Sequence, residues 1–84
     1  MKFIITPKPN YYTSRKPGCR GYKLGIAIQQ FAAIQAQFDS RDALEKAVLI
    51  PAFVISGIRD GNPDRETLNH TYKNLVKCGT VIEV

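Results

Sequence analysis

The chain alternates between segments with a clear apolar period and segments broken by proline and glycine. Residues 2–6, Lys-Phe-Ile-Ile-Thr, form a short apolar run that stops at Pro7 and Pro9, which predicts a strand. Residues 7–21 contain Pro7, Pro9, Asn10, Pro17, Gly18 and Gly21 and read as a loop, with Pro17-Gly18 as a turn dipeptide. A connection of about 15 residues is long for a small domain, and loops of that length commonly carry function or disorder. From Tyr22 the period becomes two. Tyr22, Leu24, Ile26 and Ile28 fall on one side and Lys23, Gly25, Ala27 and Gln29 on the other, the pattern of a half-buried strand. Ala32, Ile34, Ala36 and Phe38 against Ala33, Gln35 and Gln37 repeat the alternation, so the two runs would pair as a hairpin turning near Gln30. A helix over 26–38 competes, because Ala and Gln are good helix formers and Ile28, Phe31, Ile34 and Phe38 also fit helical spacing. No Gly, Asn or Asp marks a turn at 29–31. The alternation is the more regular pattern, and on it two strands are expected.

Asp39-Ser40 reads as a helix N-cap with Asp42 in the first turn. Ala43, Leu44, Ala47 and Val48 make an apolar stripe, Asp42–Lys46 and Arg41–Glu45 are i,i+4 pairs on the polar side, and Pro51 ends or kinks the helix. The β-branched run at 52–58 then predicts a buried strand. After a turn at Arg59-Asp60-Gly61-Asn62, Asn62 is expected to cap the next helix and Pro63 to occupy its first position. Leu68, Tyr72, Leu75 and Val76 form that helix's apolar face, Lys73 and Lys77 lie near its end, and Gly79 supplies a left-handed cap. Thr80 to Val84 make a last strand. The order predicts an α+β fold: one two-layer domain over 1–84, a mixed or antiparallel sheet with two helices on one face, and a basic loop at 7–21.

Composition narrows the function. With 44% apolar residues in 84 positions, the chain can build one core but has no room for a two-domain enzyme or a barrel. The longest apolar run, Ala47 to Ile55, is nine residues interrupted by Pro51, against about 20 for a membrane span. The apolar start before Thr6 is also too short for the core of a signal peptide. These features predict a cytoplasmic protein with no membrane contact. Cys19 and Cys78 are then expected as free thiols in a reducing compartment.

Charge changes the picture most. Residues 1–38 hold six cations and no acid, a charge of +6, whereas residues 39–84 hold six cations and seven acids, −1. Such asymmetry points to an anionic partner. The cations concentrate in residues 10–23, where Arg15, Lys16, Arg20 and Lys23 stand among Tyr11, Tyr12, Tyr22, Thr13 and Ser14. Phosphates need cations and hydroxyls, and bases can stack on tyrosine rings. Tyr22, in phase with Leu24, is expected to pack inward instead. The candidate binding residues are therefore Tyr11, Tyr12, Arg15, Lys16, Arg20 and Lys23.

Chemistry is otherwise sparse. His70 is unique and falls on the polar side of its helix, the carboxylates sit at caps and turns, and two cysteines with one histidine do not make a zinc site. The segment Pro17-Gly18-Cys19-Arg20-Gly21 has no strand before it and, on the strand assignment, no helix after it, so it is not expected to cradle phosphate. No catalytic residue, metal or cofactor is expected. The sequence favours a non-enzymatic protein that contacts nucleic acid, DNA or RNA, through the loop. The alternative is a small inhibitor or accessory protein, of the kind mobile elements or phages encode, that covers an acidic protein surface with the same residues. An exposed edge strand at 2–6 or 80–84 would also allow a homodimer.

Overall fold

The computed structural model describes residues 2–19, 21–55 and 64–84. These residues make a small α+β fold of three helices and a three-stranded antiparallel sheet. The strands are β1 (Phe3–Ile5), β2 (Gln37–Phe38) and β3 (Val81–Glu83), in the spatial order β2-β1-β3. Phe3 stands opposite both Phe38 and Glu83, and Ile5 opposite Val81. Phe3, Ile5 and Val81 turn into the core, whereas Ile4 and Ile82 share the other face, where Ile82 stays 42% exposed. Residues 2–6 are thus the central strand, paired on both sides, and only β3 keeps the exposed long edge that the sequence assigned to either terminus.

The expected hairpin over 22–38 is mostly a helix, α1 (Tyr22–Ala33). Its buried residues Leu24, Gly25, Ile28 and Ala32 follow helical spacing, and Ile26, which the alternation put inside, is only half buried. The apparent period of two arose because Leu24 and Ile28 satisfy both patterns. α1 starts at Gly21, whose φ of +83° is open to glycine, and it ends in a Schellman turn built without glycine. Gln35 takes φ +52° while Ala36 N donates to Phe31 O and Gln35 N to Ala32 O. The tail of the second alternation does become a strand, β2.

The second helix, α2, runs over 41–55 and opens on Ser40, whose hydroxyl accepts from Ala43 N at 3.1 Å. It contains Pro51 and continues past it, so residues 52–55 are helical where a strand was expected; 56–58 lie outside the described residues. The device is a π-helical stretch at Glu45–Leu49, with Ile50 N reaching back five residues to Glu45 O. The widened turn comes immediately before the proline, where an α-helical ring would collide with a carbonyl one turn back. The extra residue per turn also brings Leu49, Ala52 and Phe53 inward beside Leu44 and Val48, and with them Glu45, which was expected on the polar side.

The third helix, α3 (Arg65–Lys77), is capped by Asp64, whose carboxylate accepts from Thr67 N at 2.8 Å. The cap is therefore not Asn62, which with Pro63 and the turn at 59–62 lies outside the described residues. Leu68, Tyr72 and Leu75 are buried as expected, but the fourth inward position is Thr71, and Val76 is 36% exposed. Gly79, φ +83°, closes the helix with a second Schellman turn, Thr80 N to Leu75 O at 2.9 Å. No helix among the described residues is long and apolar enough to cross a membrane.

Candidate functional site

The basic loop is tied to the domain by short polar side chains. Asn10 organises it: its carboxamide oxygen accepts from Tyr12 N at 2.7 Å and Thr13 N at 3.1 Å. Its Nδ2 reaches Thr80 Oγ1 at 3.2 Å, and that hydroxyl donates in turn to Lys8 O at 2.9 Å. Thr6 Oγ1 donates to Gly79 O at 2.6 Å. These bonds anchor residues 6–13 on the turn between α3 and β3.

The six candidate residues divide. Tyr12 is 9% exposed, with its hydroxyl 3.4 Å from Thr71 Oγ1, and belongs to the core. Its ring cannot serve as the exposed stacking platform for which it was a candidate. The loop here presses on α1: a Cβ at Gly25 would sit 2.2 Å from Tyr12 O, so only glycine fits. Tyr11 is 60% exposed and meets Tyr12 edge-on at 5.2 Å. The Arg15 guanidinium lies over the Tyr11 ring, 4.9 Å from its centroid, with Nε buried and without a hydrogen-bond partner among the described residues. Lys16 is exposed in the loop and Lys23 is exposed in the first turn of α1, 6.0 Å from the Tyr22 ring. Arg20 lies outside the described residues.

α1 also revises the reading of Pro17-Gly18-Cys19-Arg20-Gly21, because a helix does follow this segment. The N-terminal half-charge of α1 is positive, no acid stands in its first turn, and Lys23 adds a cation there.

Asp39, Asp42, Glu45 and Glu83 are bound elsewhere. Asp39 binds Lys2 at 2.8 Å, and this hydrogen bond, then the nearby charge, holds its carboxyl below the usual range. Asp42 binds Lys46 at 3.1 Å. Glu45, 2% exposed, is gripped by Arg41 Nε at 3.1 Å and Arg65 Nη1 at 2.9 Å. Arg41 also stacks on Tyr72 at 4.2 Å and donates to Asn69. Tyr72 donates its hydroxyl to Glu83; burial first, and that carboxylate second, push the phenol pKa up. No sequence signal marks Glu45 and Tyr72 as members of one polar network across α2, α3 and β3. Among the described residues, Lys8, Arg15, Lys16, Lys23, Lys73 and Lys77 make no ion pair.

Beside the loop lies an open hollow of about 520 Å³. Asn10, Tyr11 and Tyr12 form one wall, and His70, Asn74, Leu75 and Cys78 of α3 form the other. His70 Nε2 and Asn74 Nδ2 are 3.2 Å apart, and Cys78 Sγ lies 3.4 Å from Thr80 Oγ1. Cys19 and Cys78 are free, exposed thiols, and the described residues include no group of three or more metal-ligating side chains. No family model, curated protein or solved structure matches this chain.

Proposed function

We propose that the chain is a non-enzymatic nucleic-acid-binding domain that contacts phosphates through Arg15, Lys16, Lys23 and Arg20. The observation that carries this reading is the segregation of charge in the folded molecule. Asp39, Asp42 and Glu45 of the second half are matched to Lys2, Lys46, Arg41 and Arg65, whereas Arg15, Lys16 and Lys23 make no ion pair among the described residues and lie beside the positive end of α1. A cationic surface of this kind attracts polyanions. Arg15 lays its guanidinium over the exposed Tyr11 ring, a pairing suited to a nucleotide. Its two exposed thiols fit a reducing compartment, in our reading the cytoplasm.

Titration of labelled duplex and single-stranded oligonucleotides at several salt concentrations tests the proposal. Four phosphate contacts give a log–log slope of about −3.6 on duplex or about −2.8 on a single strand. Replacing Arg15 and Lys16 by Ala should remove about two contacts' worth of slope and leave the fold intact, since neither is a core residue. If neither nucleic acid binds at tens of micromolar protein, the reading fails and an acidic protein surface becomes the partner to seek.

A further inference from the structure

The fold adds a second segment to the basic loop. In the sequence, Lys73 and Lys77 serve the C-terminal dipole of α3 and His70 is a solvated surface residue. In the fold, residues 70, 73, 74 and 77 stand at i, i+3, i+4 and i+7, one stripe of α3. Two of them, His70 and Asn74, line the hollow whose opposite wall is Tyr11. We propose that this hollow takes one unpaired nucleotide of a bound single strand, and that Lys73 and Lys77 hold the phosphates that flank it. This proposal rests on the reading of the loop as a nucleic-acid contact and names the form of nucleic acid it binds.

Four features support it. The volume of about 520 Å³ lies within the roughly 300–1,000 Å³ typical of ligand sites. Its lining includes Leu75 and Tyr12 beside the polar groups, a mix of carbon surface and hydrogen-bonding groups that suits a base. One wall carries the Tyr11–Arg15 pair, an exposed aromatic ring joined to a guanidinium, and both kinds of plane stack on unpaired bases. The other wall carries His70 and Asn74, whose imidazole and carboxamide between them offer hydrogen-bonding groups of the kind a base edge requires.

The electrostatics give the strand a path. Lys73 and Lys77 are exposed, make no ion pair among the described residues, and lie about 6 Å apart along the axis of α3. At the far end the Lys8 side chain runs against Gly79, close enough that a Cβ there would meet its Cδ at 2.9 Å. Glu66, one turn before His70, ends the basic stripe. A duplex keeps its bases paired and stacked, so only a single strand can place a base in the hollow.

Fluorescence anisotropy with labelled oligo(dT), oligo(U) and a duplex of equal length tests the proposal. Both single strands should bind more tightly than the duplex. Tyr11→Ala should weaken single-strand binding about 5- to 150-fold with the salt slope unchanged, because stacking releases no counterions. The double variant Lys73→Ala, Lys77→Ala should flatten the single-strand slope by about 1.4, two contacts at about 0.7 each. Circular dichroism of each variant checks the fold, and Asn74→Ala, at a half-exposed position, provides an independent lesion in the hollow that should also weaken binding. If Arg15→Ala, Lys16→Ala weakens binding while Tyr11→Ala and the Lys73/Lys77 variant change nothing, the hollow is not the site and the loop reading stands. Equal affinity for duplex and single strand would also overturn the proposal. Failure of every oligonucleotide to bind removes the loop reading and this one together.

Discussion

Two residues show opposite solutions to close backbone geometry. Gly25 sits inside α1, where alanine would gain about 1 kcal/mol of helix propensity. That gain cannot be realised, because the added Cβ would lie 2.2 Å from Tyr12 O and 2.7 Å from Tyr12 C. Both are backbone atoms of the peptide whose N–H, that of Thr13, donates to Asn10 Oδ1, so neither yields as a side-chain end would. Gly25→Ala should therefore destabilise by about 1–3 kcal/mol or more, read from the midpoint of a urea melt. Gln35 is the reverse case, a non-glycine residue at φ +52° on an exposed turn. The left-handed conformation costs a non-glycine residue about 1–2 kcal/mol, and glycine gives back part of that gain as unfolded-chain entropy. Gln35→Gly should raise stability by about 0.5–1 kcal/mol, and a loss in the same melt would show that the Gln35 side chain contributes something the turn needs.

At the scale of elements, α3 was legible because its signals agree. Its apolar spacing, terminal lysines and Gly79 all describe one amphipathic helix, and only the choice between Val76 and Thr71 needed the neighbours. The helix separates the two side chains cleanly. Leu75, 1% exposed, should cost about 2–5 kcal/mol on truncation to Ala, whereas Val76→Ala, at a 36% exposed position, should cost less than about 1 kcal/mol. α1 and α2 were harder because each hides a familiar marker. The turn after α1 uses Gln35 where Gly79 serves α3, although the hydrogen bonds of the two turns correspond. In α2 the proline sits inside a helix that accommodates it through a π-helical turn, so the residue that predicted an end marks a widening instead.

Across the whole molecule, polar contacts join segments far apart in sequence. Tyr72 is the hinge of one such set, under the Arg41 guanidinium and bonded to Glu83, with Arg41 continuing to Glu45 and Arg65. Burial and the Glu83 carboxylate favour the protonated phenol in the fold. The unfolded chain releases that proton near the ordinary phenol value of about 10. Above that pH the unfolded state therefore binds fewer protons than the folded one, and the contribution of this group to stability, complete below about pH 10, falls as pH rises. Urea melts at pH 8 and pH 11 should show a steeper loss for the parent protein than for Tyr72→Phe; equal losses would mean that the folded state does not hold the proton.

The sequence alone determined what rests on local chemistry: the α+β class, the strand at 2–6, the Ser40 cap, the start and end of the last helix to within two residues, the final strand, and the concentration of cations in residues 10–23. These follow from spacing, capping and composition, which need no distant partner. Tertiary structure decided the rest. Leu24 and Ile28 fit a strand and a helix equally, and packing against α2 and β1 selected the helix. Tyr11 and Tyr12 are identical neighbours in composition, yet the Asn10 turn sends Tyr12 into the core and leaves Tyr11 in solvent. Glu45 reads as a surface residue until Arg41 and Arg65 converge on it and neutralise its buried charge. His70, Lys73, Asn74 and Lys77 lie 49 positions or more beyond the end of the basic loop at residue 21, and only the docking of that loop on the end of α3 brings the two together.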